Sequence, residues 1–233
     1  MALAVHMEVG CDDAFFQRRD NYPVVTAGFN GDSTIYKQFG PISGRRYQVG
    51  VAYAPDLKNR DKTNCGFGGT DSCGSTLSAD YTGEWREYLQ LSSRTLLAGR
   101  VFGGYSTGNF SNFYYFGGLN TLRGYDFRSI VGSRAAFANM EFRFPLVDVL
   151  AFPGVAIQGI RGNLFFDIGA ANFPGQPFNF IQKGRLIDGK AAVGYGLSFN
   201  FLGLELHWDF ARRYDLKDTI GKTRTTFWIG ETF

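Results

Sequence analysis

FGGLNTLRGYDFRSIVGSRAAFANMEFRFPL, running from Phe116 to Leu146, decides the fold. It opens as a glycine-rich loop that carries Leu122-Arg123-Gly124-Tyr125, and it ends as a strand that alternates residue by residue. In that strand Ala138, Met140, Phe142 and Phe144 point one way, and Phe137, Asn139, Glu141 and Arg143 the other. An arginine next to a glycine, in a loop long enough to fold back beside a strand with a carboxylate on its polar face, predicts a buried ion pair. Such a pair needs a polar interior behind an apolar exterior.

The same period-two pattern recurs outward from this stretch, and no segment shows a convincing helical stripe. Nine strands are predicted, over 23–36, 44–57, 77–89, 94–106, 136–145, 160–171, 190–201, 203–212 and 223–233. In 77–89, Leu77, Ala79, Tyr81 and Trp85 oppose Ser78, Asp80, Thr82, Glu84 and Arg86. In 203–212, Leu204, Leu206, Trp208 and Phe210 oppose Glu205, His207 and Asp209. Connections alternate in length: 37–43, 90–93 and 201–203 are short, whereas 58–76, 107–135, 172–189 and 213–222 are long. Segment 146–159 is a longer connection on the short-turn side.

The chain has 233 residues, with 31 Gly, 24 Phe, 12 Tyr and 19% charged residues. No apolar run approaches the roughly 20 residues of a membrane helix, but a barrel strand needs only about 9–11 alternating ones. The apolar faces are aromatic almost to the strand ends. The opposite faces hold Gly, Ser, Asn and single charges rather than the Lys/Glu mixture of a solvated surface. These features favour an inside-out barrel over a soluble β-sandwich. A net charge of +3 without a lysine-rich run gives no footing for nucleic acid.

No catalytic constellation emerges. The chain has no nucleophile elbow and no phosphate loop. His207, between Glu205 and Asp209 on a polar face, reads as an inner polar residue rather than a metal ligand. Asp12 and Asp13 read as solvated. No enzyme activity, metal or cofactor is expected. Cys65 and Cys73 lie in one polar loop and could form a disulfide in an oxidising compartment, leaving Cys11 over. Three reduced thiols are the equal alternative. The start, MALAVHMEVGCDD, lacks the marks of a signal peptide, so the chain is expected to be a fragment or to begin further upstream.

Four motifs in order carry a family resemblance. They are Gly117-Gly118 with Leu122-Arg123-Gly124-Tyr125; Asn139-Met140-Glu141-Phe142-Arg143-Phe144-Pro145-Leu146; Phe165-Phe166-Asp167-Ile168-Gly169; and the closing Trp228-Ile229-Gly230-Glu231-Thr232-Phe233. Together they resemble the C-terminal barrel of the bacterial surface antigen family, the BamA/TamA-type outer-membrane assembly and secretion barrels. The resemblance covers about residues 22–233. It implies that loop 107–135 folds into the lumen and that Arg123 locks onto Glu141 and Asp167, with Phe165 on the same face. It also implies that Phe227, Ile229, Gly230 and Phe233 belong to a C-terminal strand signal. Glu231 departs from the family's apolar pattern there.

The expected fold is therefore all-β: an antiparallel transmembrane β-barrel, represented by a C-terminal portion of about nine strands. Residues 1–21 are expected to be a loop or the remnant of an upstream strand, and 22–233 the barrel portion. The resemblance implies a bacterial outer-membrane location and a role in inserting proteins into, or translocating them across, that membrane. Its partners would be outer-membrane lipid, client outer-membrane or secreted proteins and accessory assembly subunits. A passive barrel anchoring a fused upstream domain is the alternative, and a soluble β-sandwich binding module ranks below it.

Overall fold

The computed structural model describes residues 2–7, 23–37, 40–55, 77–108, 111–152, 155–201 and 204–230. Among these there is no helix. In chain order the strands are β1 (Ala2–Met7), β2 (Pro23–Asp32), β3 (Ile35–Lys37), β4 (Gly40–Ala54), β5 (Ser78–Gln90), β6 (Leu96–Gly108), β7 (Tyr114–Phe116) and β8 (Ile130–Gly132). Then follow β9 (Arg134–Phe152), β10 (Val155–Asn172), β11 (Ile181–Gln182), β12 (Arg185–Leu186), β13 (Lys190–Phe201), β14 (Leu204–Tyr214) and β15 (Thr219–Ile229). One sheet takes β1-β2-β4-β5-β6-β9-β10-β13-β14-β15 in that order, with β3 added beside β4. Its neighbours are all antiparallel, so each strand pairs with the next long one in sequence, as hairpin connections require.

The faces are inverted relative to a water-soluble sheet. Glu141 and Asp167 are fully buried on the concave face, while Met140 and Leu164 on the other face are more than half exposed. Outward residues make cross-strand aromatic pairs, such as Tyr47 with Trp85 at 5.4 Å and Tyr195 with Phe210 at 5.1 Å. An aqueous sandwich would bury these rings and expose the carboxylates. The inverted pattern is that of a barrel wall with lipid outside and a polar lumen inside.

The nine expected strands are all present among the described residues, and the main differences are these. A tenth, β1, adds an edge to the sheet within the segment expected to be loop or strand remnant. The 23–36 strand divides into β2 and β3, because Asp32 Oδ1 accepts from Thr34 N at 2.9 Å and turns the chain there. The expected long connection at 146–159 is instead mostly strand, since β9 runs to Phe152 and β10 starts at Val155. Alternation fails in that stretch because Leu146, Val147, Val149 and Leu150 are exposed on both faces. Pro145 suggests a stop, yet it sits opposite a register shift at Ile160/Arg161, where a missing N–H is tolerated. Finally, β15 starts at Thr219 rather than 223, its early residues facing a bulge between Ala211 and Arg213.

The loop between β6 and β9 does not leave the sheet. β7 and β8 pair into a short stalk, and the chain from Gly117 to Ser129 folds onto the concave face. Leu122 and Phe116 pack there against Ala135 and Phe137 in a small buried cluster.

The outward face is tested by Met140→Arg. If it meets lipid near the bilayer middle, the variant should lose about 2–4 kcal/mol when folded into vesicles. A denaturation curve matching the wild type would return the face to water.

Candidate functional site

The centre of the concave face is a closed set of buried charges. Adjacent strands β9 and β10 bring it together: Glu141 lies directly opposite Phe165, and Asn139 directly opposite Asp167. Arg123 descends from the loop between them. Its Nε donates to Asp167 Oδ2 at 2.8 Å, its Nη2 to Asp167 Oδ1 at 2.7 Å and its Nη1 to Glu141 Oε1 at 2.5 Å. Its backbone N–H also donates to Asp167 Oδ2, at 3.0 Å. Arg143 closes the remaining oxygen, donating from Nε to Glu141 Oε2 at 2.8 Å. Asn139 Nδ2 donates to Asp167 Oδ1 at 2.8 Å and to the loop carbonyl of Thr121 at 2.5 Å.

Two guanidiniums thus face two carboxylates, and every carboxylate oxygen accepts at least one hydrogen bond. This matters because each buried ion costs several kcal/mol of desolvation, which only complete pairing offsets. The planar guanidinium also lies 3.5 Å from the centre of the Phe165 ring. In a dry site that contact is worth about 2 kcal/mol. Gly194 makes room for it, because a side chain there would collide with the Phe165 ring.

The rest of the loop is gripped from both flanks. Gly124 takes a left-handed φ of +84°, and the carbonyl it presents accepts from Arg213 Nε at 3.0 Å. The Arg213 guanidinium lies 4.6 Å over the Tyr125 ring, whose hydroxyl donates to Ala191 O at 3.3 Å. From β6, Arg100 Nη1 reaches Asn120 O at 3.4 Å and Nη2 reaches Glu84 Oε2 at 3.2 Å. At the loop's outer end Asp126 Oδ1 pairs with Arg224 Nη2 at 2.7 Å. Hydrogen bonding and charge from Arg224 hold the Asp126 carboxyl below the ordinary carboxylate range. That pair is therefore present above the carboxyl's usual value and is lost only as pH falls through the lowered one.

The sequence-derived residues Leu122, Arg123, Gly124 and Tyr125 thus meet Glu141, Asp167 and Phe165 in one place. Phe227 and Ile229 stand exposed on the outward face of β15, and Gly230 follows at its end. Phe233, Cys11, Cys65 and Cys73 lie outside the described residues. Sequence reasoning overlooked Arg213, Asn139 and Arg100 as loop-holding groups, and Arg143 as the second partner of Glu141. Their inward parity was readable, but nothing in the pattern tells which inward polar residue meets a loop. It also set His207 apart as one polar residue among others. The imidazole is buried and stacked on Trp228, ring centres 3.9 Å apart.

Residues 37–233 match the model of the Omp85 superfamily domain. No curated protein matches the sequence significantly. The fold is similar to that of BamA from Haemophilus ducreyi in a structure lacking POTRA domains 1–3, with a TM-score of 0.62 at 15% sequence identity. The likeness covers 92% of this chain and 44% of that one, so the chain spans less than half of the BamA structure it matches.

Removing the guanidinium should be costly. Arg123→Ala leaves two buried carboxylates short of partners and should destabilise the folded chain by about 3–5 kcal/mol, read by denaturant titration and heat-modifiable gel migration. Arg123→Lys keeps the charge but loses the fork, and should fall between that variant and the wild type. Wild-type migration and stability in the alanine variant would remove the lock from the account.

Proposed function

Because the chain belongs to the Omp85 superfamily, we propose that it is the C-terminal part of a bacterial outer-membrane barrel that helps insert proteins into, or move them across, that membrane. Its surroundings are outer-membrane lipid, its substrates are client strands, and accessory assembly subunits complete the machinery. The work is exchange of hydrogen bonds rather than covalent chemistry. In this reading the Arg123 lock holds the loop seated so that the wall beneath it keeps its shape.

The observation that carries the reading is the edge offered by β15. Among the described residues β15 pairs with β14 alone. Gly230 N donates to Glu205 O at 3.0 Å, which fixes the alternation of the antiparallel ladder. Counting back from that bond, Trp228 and Thr226 point their N–H groups at β14, while Phe227 and Thr225 point theirs at the open edge. A row of this kind cannot stay bare in lipid, so in a whole barrel another strand covers it, and a client strand would compete for the same bonds. A client strand can add to it by β-augmentation, with main-chain bonds supplying affinity irrespective of client sequence.

Thr225→Pro tests this directly. It deletes one edge donor and leaves the bonds to β14 in place. Insertion of a client barrel by the full-length protein, reconstituted in vesicles, should slow about fivefold, the worth of one ladder hydrogen bond. The variant's own thermal stability should not change. If wild-type protein shows no insertion above empty vesicles, the passive-anchor reading replaces this one.

A further inference from the structure

The inward side chains of β14 do two jobs on one face. Glu205, His207, Asp209, Ala211 and Arg213 follow one another at every second position. The end nearer the loop holds the loop. Arg213 binds the Gly124 carbonyl and covers Tyr125, and Ala211 lies directly under Gly124, where an added Cβ would sit 3.4 Å from its own. The other end holds the terminal strand. Trp228 Nε1 donates to Asp209 Oδ2 at 2.8 Å, and His207 Nε2 donates to Gly230 O at 2.8 Å. The His207 and Trp228 rings are direct cross-strand partners and stack at 11°. Gly230 has a φ of +148°, and its carbonyl is taken by the imidazole as the chain leaves the regular ladder. Both the Nε2–H tautomer and the imidazolium donate, so this bond does not depend on the ring's charge.

We propose that the inner face of β14 couples the seating of the 117–129 loop to the position of the end of β15, with His207, Asp209 and Arg213 as positioning residues. Strand geometry supplies the reason. A strand cannot shift by one residue without turning its whole inner set to the other face. Any twist or slide of β14 that frees Arg213 from Gly124 therefore also disturbs Asp209 and His207 beneath Trp228 and Gly230. The exposed Asp126–Arg224 pair adds a direct tie between loop and terminal strand, though one so solvated contributes little by itself. The coupled states are a seated loop with a clasped strand end and an unseated loop with a free one. Its use is to regulate how much of β15 a client can reach, and that use rests on the function proposed above.

Reciprocity is the test, because a coupling between two sites must read the same from either side. Hydrogen exchange is followed by mass spectrometry on the full-length protein in native outer-membrane fragments. Arg213→Gln, which keeps the backbone pairing with Ile220 and removes none of the contacts at 227–230, should loosen the loop and speed exchange of the 227–230 amides about fivefold or more. Trp228→Phe, which keeps the ring and loses the N–H, should speed exchange across 117–128 to a similar degree. Arg213→Lys still donates to Gly124 and should restore protection at 227–230. If each variant loosens only its own segment, the coupling is overturned. His207→Phe, which keeps the stacked ring and loses the donor to the Gly230 carbonyl, replaces Trp228→Phe should the latter not migrate as a folded barrel. Client insertion is measured alongside. Uncoupled exchange with normal insertion sinks this inference alone, while coupled exchange without insertion sinks the functional reading and leaves the coupling standing.

Discussion

A guanidinium taken out of water must find carboxylates, and the architecture follows from that requirement. Arg123 cannot be buried unless Glu141 and Asp167 are already held side by side, which needs β9 and β10 paired in register. Those carboxylates in turn cannot be buried without Arg123 and Arg143. Neither half is stable dry without the other, so loop and wall form together or not at all. The phenyl ring of Phe165 makes the site planar as well as neutral, which favours arginine over lysine.

The charge set also explains why the loop carries so little apolar anchorage. Leu122 is its one fully buried aliphatic side chain, set in a cluster completed by Phe116, Ala135 and Phe137. The remaining grip is polar and directional, from Arg213, Arg100 and Asn139. Directional contacts hold a loop in one orientation, whereas an apolar patch of similar strength tolerates sliding.

Much of this was legible in the sequence because a barrel wall writes its two faces as alternate letters. The parity of Glu141 and Asp167 could be read from Met140, Phe142, Phe166 and Ile168 beside them, and a glycine after Arg123 marked the tight approach. Long-range choice was not legible. Asp209 and Arg213 have the same parity as His207, and only the three-dimensional path of the loop and of β15 assigns them different partners. Nor could alternation find the outer part of the β9–β10 hairpin, since alternation is a signal of two unlike environments and disappears where both sides are alike. The chain's first strand was equally opaque, its six residues too few to establish a period.

The hairpin that alternation missed has an energetic consequence of its own. β9 has 19 residues and β10 has 18, against the roughly 9–11 that cross a bilayer. The surplus, on the short-turn side, is a double-stranded spar longer than a bilayer crossing requires. Leu146, Val147, Val149 and Leu150 lie along it with both sides exposed. Covering each such side chain is worth about 1.5–3 kcal/mol, so bare in water the spar forgoes several times the strength of a surface ion pair. It is also rooted in the two strands that carry Glu141 and Asp167. Between it and the seat of Arg123 lies the register shift at Ile160/Arg161, opposite Pro145, where the ladder is interrupted and the hairpin can bend.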